Sequence, residues 1–350
     1  MNNYCPTVSV VLPAYNAECF LREAIDSILN QTFRDFELIV INDGSNDRTE
    51  DIILSYDDTR IRYVKNETNL KLIKTLNKGI DLARGEYIAR MDADDISMPE
   101  RLEKEVAYLE AHPDVAVVSS FPYNMSMDGK LLGKSSYFCV TRSLPCKFVS
   151  MFEPSICHPI CMFRSEAIKL YKYKDSENYL HIEAYELWNR MFHSGAKGGM
   201  IPEFLLYYRD NTSSVCHVYN EVMFERHLNV LKRSLVEYLG IETERNVGLC
   251  IMSRVETKKL KNIDDAFQLL DKSRTAFALK EHDIQKEDIA EIEGWVNQRK
   301  LAILLTTMFN SHGVYRLRVL IKMLYNANLL FKKQNIIYIK NRITRILNER

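Results

Sequence analysis

From Thr7 to Ser120 the chain alternates short apolar runs with segments of helical period. "TVSVVLPAYN" reads as a strand that Pro13 stops, and residues Ala17 to Gln31 place Phe20, Leu21, Ala24, Ile25 and Ile28 on one helical stripe. "FELIVIND" reads as a second strand, broken by Gly44, and Asn46 or Asp47 is placed to cap a helix carrying Ile52, Ile53 and Tyr56. "RIRYVKN" is a third strand, followed by a helix from about Lys71 to Ala83, and "GEYIARM" is a fourth strand. Ser97 and Glu100 have the spacing of a capping box, with Pro99 inside the first turn of a helix reaching about Ala111. "VAVVSS" is a fifth strand.

Strands alternating with helices predict an α/β fold with a doubly wound, mostly parallel sheet. Ligands of such sheets bind beyond the carboxyl ends of the strands. Polar residues stand at those ends: Tyr15 and Asn16, then Asp43, then Asn66 and Asn69, then Asp92, Asp94 and Asp95. Far apart in sequence, they are expected to converge on one rim. Beyond about Met125 the pattern is mixed, and from Tyr219 it is largely helical. These patterns predict domains at 1–215 and 216–350, the second mainly helical.

The 350 residues are 46 % hydrophobic, enough for a sizeable core, and carry no formal net charge, so no global field points to nucleic acid. No apolar run approaches the roughly 18 residues that span a bilayer. The N-terminus lacks the basic stretch and cleavage site of a signal peptide, and eight scattered cysteines read as reduced thiols, so a cytoplasmic location is expected. Cys157 and Cys161, the closest pair, have no further zinc ligands beside them in sequence.

Like charges as close as those of Asp92, Asp94 and Asp95 raise one another's pKa and oppose folding unless something compensates. Hard oxygen ligands suit Mg²⁺ or Mn²⁺, which usually take one or two protein carboxylates and complete their shell with water and phosphate oxygens. The residues themselves therefore point to a nucleotide-diphosphate site with a divalent metal, where Asp43 and Asn16 hydrogen-bond a base or ribose. The bland alternative is an acidic helix N-terminus, which favours the dipole; Asp95, just before Ser97, fits that reading as well. Other phosphate sites fit worse. No G-x-x-x-x-G-K-[ST] occurs, "PAYNAE" stands where a G-x-G-x-x-G would follow the first strand, and Ser97 replaces the glycine an EF-hand loop needs.

The segments "SVVLPAYNAECFLREAIDSILNQTF", "FELIVINDGSNDRT", "NLKLIKTLNKGIDLARGEYIARMDADD" and "PERLEKEV" resemble, in order, family-2 glycosyltransferases with the GT-A fold. A weaker resemblance continues through "CHPICMFRSEAI", "AYELWNRM" and "LLYYRDNTSS", and residues after about 215 have no part in it. The resemblance implies an inverting enzyme of the kind that builds bacterial surface polysaccharide. It implies transfer of a sugar from a nucleotide-diphosphate sugar, most often a UDP-sugar, to a glycan or lipid-linked acceptor. Pro13, Ala14, Tyr15, Asn16 and Glu18 match the first nucleotide loop, and Asp43 matches the acid that reads the base. Asp92-Ala93-Asp94 matches the D-x-D, with Asp92 near the ribose and Asp94 on the metal; both are metal candidates. Asn69, Arg90, His158 of an "HP" pair and Arg209 complete the expected donor-binding set, Arg209 as a phosphate contact or a surface ion pair.

In the family mechanism a carboxylate takes the proton of an acceptor hydroxyl, a contribution of about 10²–10⁴-fold. That base usually stands in "EDY-x-LW", but this chain has Glu183-Ala184-Tyr185-Glu186-Leu187-Trp188, and a methyl group takes no proton. Three explanations compete: Glu183 reaches the same spot with its longer arm, the position has been altered to trap a complex, or the chain binds sugar nucleotides without transfer. Glu186 reads as a solvated helix acid. The pattern "YR-x-H" appears with Asn211 in place of histidine, and Lys71 stands where glycine is common in an N-x-G loop.

From Gly313 to Arg350 nine Lys/Arg face one acid, so the remaining chain is acidic by eight charges. This basic, apolar, helix-compatible segment allows contact with the inner membrane surface. Core packing of Leu317, Leu320, Ile321 and Leu324, or a homodimer contact, are the alternatives.

Overall fold

Seven consecutive residues of the first strand and seven of the second are all buried, the burial expected of strands covered on both faces. The computed structural model describes residues 5–135, 140–210, 220–253, 260–310 and 313–326. The elements β1 (Val8–Ala14), α1 (Leu21–Leu29), β2 (Phe36–Asn42), α2 (Thr49–Leu54), β3 (Ile61–Lys65), α3 (Leu72–Leu82) and β4 (Tyr87–Arg90) alternate as the sequence predicts. Then come β5 (Ile96–Ser97), α4 (Arg101–Ala111), β6 (Val115–Met125), β7 (Leu131–Lys134), α5 (Ser143–Val149), β8 (Met162–Arg164), α6 (Ser165–Tyr171), α7 (Glu183–His193) and β9 (Lys197–Arg209).

The sheet order is β3-β2-β1-β4-β8-β6-β9-β5, with β7 on β6. β1, β2, β3 and β4 pair in parallel, as do β6 and β9; the pairings of β5, β7 and β8 are antiparallel. The fold class expected from the pattern is the one found. Helix α1 buries Leu21, Ala24, Ile25 and Ile28 against the sheet core, the predicted stripe without Phe20.

Two local expectations are corrected. Pro13 does not end the first strand, because β1 pairs with β2 through Pro13 to Ala14. Its missing N–H lies on the β4 side, where the ladder has already ended at Val11 and Arg90, so no bond is lost. Nor do Ser97 and Glu100 form a capping box. Ser97 pairs with Leu206 in β5 and β9, and α4 begins at Arg101 with no side-chain cap. The Ser97 N–H donates to Ser27 Oγ at 3.0 Å, and its Oγ accepts from Gln31 Nε2 at 3.2 Å. Sheet pairing overrides the local helix signal.

The chain divides into two units, one holding the whole sheet and one that is helical. The helical unit contains α8 (Asn220–Leu239), α9 (Arg245–Ile251), α10 (Leu260–Lys280), α11 (Lys286–Phe309) and α12 (Gly313–Tyr325). It also takes in Leu144–Glu153, which a single division near residue 215 does not describe. Its core gathers Phe148, Phe152, Phe277 and Trp295; the Trp295 Nε1–H donates to Glu153 at 2.7 Å, which satisfies the buried indole. Among the described side chains of α12, Val319 and Met323 are buried, while Leu320 and Ile321 of the predicted stripe are exposed. The side chains of Leu317 and Leu324, residues 327–350 and Asn211 lie outside the described residues.

Candidate active site

The parallel register sets Ala14 beside Asn42 and Asn42 beside Lys65, so the chain leaves β1, β2 and β3 at one level. The loops that follow are tied to one another. Asn16 donates its N–H to Ser45 Oγ at 3.0 Å, and its Oδ1 accepts from the Asn46 N–H at 2.9 Å. The Glu18 N–H donates to Asp47 and the Arg48 N–H donates back to Glu18, both at 3.0 Å. Asn16 has φ of 47°, a left-handed conformation asparagine tolerates better than most residues. Thus Asn16 and Glu18 of the predicted nucleotide loop hold its shape, and Tyr15 beside them is 47 % exposed. Pro13 and Ala14 lie buried in β1.

Asp43 is buried and already well supplied with donors. Its Oδ1 accepts from Asn66 Nδ2 at 2.7 Å and the Leu70 N–H at 2.9 Å, and its Oδ2 accepts from the Lys71 N–H at 3.1 Å. A carboxylate has about four acceptor sites, so about one remains. Asn69 Oδ1 accepts from the Lys71 N–H at 2.9 Å. Gly44 lets the loop after β2 approach this turn: a Cβ there would stand 2.6 Å from the Thr68 carbonyl carbon.

The fourth strand delivers the acids. Asp92, Asp94 and Asp95 bring carboxylate oxygens within 4.8 Å of one another. Arg90, two residues before Asp92, grips that carboxylate with both Nη atoms, at 2.6 and 2.5 Å. Burial opposes the Arg90 cation, but Asp92 above all outweighs burial and raises its pKa. Asp95 is 1 % exposed; Oδ1 accepts from the Arg209 N–H at 2.9 Å, and Oδ2 is a buried oxygen with no hydrogen-bond partner. Burial, then Asp92 and Asp94, push its carboxyl well above the usual range. The helix-dipole reading of Asp95 fails, because α4 starts six residues later. Ala93 is half-buried against the sheet core.

Beside Arg90 lies a polar pair, the half-buried His158 and the buried Tyr173. His158 Nε2 is 2.6 Å from the Tyr173 hydroxyl, and its ring meets Trp188 edge-on at 6.0 Å. Burial, and then Arg90, hold His158 well below the usual imidazole value, so it is neutral. Glu183 opens α7, is 9 % exposed, and its Oε2 lacks a partner. Burial pushes its carboxyl up; its own backbone N–H and Arg90 oppose, and Asp92 adds to the rise. The sequence had given no role to Tyr173. Glu186 is not the solvated helix acid that the sequence suggests: it is buried and bonded to Arg190 Nε at 2.9 Å.

Arg209 departs from the surface ion pair expected as one of its two readings. Its side chain is 2 % exposed, so it is no surface pair. Nε donates to the Asp94 carbonyl at 2.8 Å, Nη1 to the Met127 carbonyl at 2.9 Å and Nη2 to Glu23 at 2.7 Å. Three of its five N–H donors are thus engaged within the fold.

The family profile described as Glycosyl transferase family 2 matches residues 9–171, which include β1 to β4 and the acidic turn. An uncharacterized glycosyltransferase of Methanocaldococcus jannaschii is 37 % identical over 211 residues, 58 % of this chain and 71 % of that protein. Another, of Haemophilus influenzae, is 30 % identical over 275 residues, 76 % of this chain and 84 % of that protein. EpsE of Bacillus subtilis, provisionally named a glycosyltransferase, is 32 % identical over 280 residues, 74 % of this chain and 96 % of its own length. Among solved structures, residues 1–349 of Staphylococcus aureus TarS in complex with UDP share the fold, with a TM-score of 0.51 at 18 % identity over 87 % of this chain and 89 % of that one. With relatives matched across most of their own length and the acidic turn inside the matched segment, the chain belongs to glycosyltransferase family 2, as a transferase with the GT-A fold.

Proposed function

We propose that the protein moves a sugar from a UDP-sugar to a hydroxyl of a glycan or lipid-linked acceptor, with inversion and with a divalent metal, in cell-surface polysaccharide synthesis. The observation that carries this reading is the gathering of Asp92, Asp94 and Asp95 within 4.8 Å at the end of β4. Three hard carboxylates, one with a partnerless buried oxygen, fit Mg²⁺ or Mn²⁺ better than a soft-metal site would. Asp94 and Asp92 are the residues we assign to it. Bound there, the ion would supply positive charge to a departing diphosphate.

The chain's own residues account for the rest. Asp43 offers its remaining acceptor site to the base, and the laced loops 15–18 and 45–48 fix where the nucleotide lies. UDP is the nucleotide in the S. aureus structure of the same fold, which supports that choice. His158, neutral and bonded to Tyr173, lines the donor side. Glu183 Oε2 takes the acceptor proton as the new C–O bond forms and the bond to the diphosphate breaks. Arg90 favours the charged form of Glu183, which the base requires.

Ala184 favours a second reading, a sugar-nucleotide-binding protein whose transfer is impaired. A panel of sugar nucleotides with Mn²⁺ separates the two: one donor raises the melting temperature by mass action, and proton NMR of the product shows the inverted anomer. Stabilisation by a donor without any product supports the second reading, and a retained anomer contradicts inversion. We place the enzyme on the cytoplasmic face of the membrane, with the basic segment 313–350 against anionic lipid. Raised salt should release it from anionic vesicles; salt-insensitive binding would contradict that placement. Among the described residues no helix is long and apolar enough to cross a membrane.

A further inference from the structure

One guanidinium at the end of β9 joins three separate pieces of the sheet unit. Arg209 reaches the Asp94 carbonyl through Nε at 2.8 Å, the Met127 carbonyl after β6 through Nη1 at 2.9 Å, and Glu23 of α1 through Nη2 at 2.7 Å. Its backbone N–H donates to Asp95 Oδ1 at 2.9 Å, and its guanidinium carbon lies 4.5 Å from the centre of the Phe20 ring. The guanidinium is planar with donors in a fixed fork, so three partners at once leave it no rotational freedom. Both Asp94 and Asp95 are thereby fixed by one residue 114 positions away from the latter.

The acidic turn needs such a fixture. Arg90 offsets part of the repulsion among three carboxyl groups within 4.8 Å, and what remains favours opening of the turn unless the backbone is held. The Arg209 guanidinium holds the turn's backbone through the Asp94 carbonyl, its main-chain N–H holds the Asp95 carboxylate, and both anchors opposite it, Glu23 and Met127, lie outside the turn. We propose that Arg209 is a positioning residue that presets the Asp94–Asp95 turn for the divalent ion, and that it touches neither phosphate nor sugar. This rests on the metal reading above.

The test uses Mn²⁺ alone and the full chain. Electron paramagnetic resonance of free Mn²⁺ gives its affinity for the wild type, Arg209→Lys and Glu23→Gln. Lysine keeps the charge and loses the fork. Loss of charge-assisted bonds predicts Mn²⁺ affinity about 10-fold or more weaker in Arg209→Lys. A smaller shift in the same direction is expected in Glu23→Gln, which removes one anchor and carries the test if Arg209→Lys does not fold. The Mn²⁺ concentration for half-maximal activity should rise in parallel, while kcat at saturating Mn²⁺ recovers to near the wild-type value. Wild-type Mn²⁺ affinity in both variants overturns the clamp and leaves the metal reading standing. A kcat that stays depressed at saturating Mn²⁺ also overturns it, because Arg209 would then act on the chemistry. Absence of Mn²⁺ binding by the wild type defeats the metal reading, and the clamp falls with it.

Discussion

Ala184 and Glu183 are neighbours on α7, yet only one of them can hold a proton. Glu183 is buried, with an oxygen that lacks a partner, and burial raises its pKa. A base must be deprotonated to work. The acid limb of kcat/KM should therefore lie above 4.5, the ordinary glutamate value, and activity should fall as pH drops through the raised pKa. Glu183→Gln should remove that limb and lower kcat by about 10²–10⁴-fold. Ala184→Asp should leave the rate nearly unchanged if Glu183 already serves. A strong rise in Ala184→Asp, with Glu183→Gln fully active, would move the base to position 184. Much of this residue-scale chemistry was open to sequence reading. The acids, Asp43 and Glu183 are recognisable because polar side chains stand out at the ends of apolar runs. The pairing of Arg90 with Asp92 was also within reach, since residues two apart on a strand share a face. The contact of Arg209 with Asp95 was not, because it spans 114 residues and depends on β9 returning beside the acidic turn.

At the scale of elements, the entry to α3 carries visible strain. Lys71 precedes the helix with φ of 74° and ψ of 161°, a region that essentially only glycine occupies. Its N–H is fixed there by Asp43 and Asn69. The strain of such a conformation is about 1–3 kcal/mol, and glycine's greater freedom in the unfolded chain offsets about 1 kcal/mol of it. Lys71→Gly should then stabilise the protein and raise its melting temperature by about 2–4 °C. A lower melting temperature would show that the Lys71 side chain contributes more than its backbone costs. The sequence marked this place through a lysine where the resemblance has glycine. It could not show the dihedral, which follows from Asp43 drawing in the loop. The same limit explains the failed capping box: the signal at Ser97 was real, but pairing with Leu206 decided the outcome. Strands β1, β2 and β4 were legible because their runs are largely apolar, and β3 because isoleucine, tyrosine and valine favour a strand, whereas β5, with two residues, and β8, with three, carry too little pattern.

At the scale of the whole molecule, the order of strands places the loops after β1, β2 and β3 on one side of β1 and the acidic turn after β4 on the other. Parallel pairing levels their ends, so the residues from Tyr15 to Asp95 that we assign to the donor leave the sheet at one rim. The helical unit was foreseen as helical from residue 219 onward, but the membership of Leu144–Glu153 was not, because it rests on Phe148 and Phe152 meeting Trp295. Sugar transfer by this chain requires that the acids after β4 bind a dication together with a diphosphate. Calorimetric titration of UDP into the wild type, with Mn²⁺ and then with EDTA, and into Asp94→Asn with Mn²⁺, tests that directly. Tight UDP binding is expected only for the wild type with Mn²⁺; equal UDP affinity in all three titrations would overturn the metal assignment.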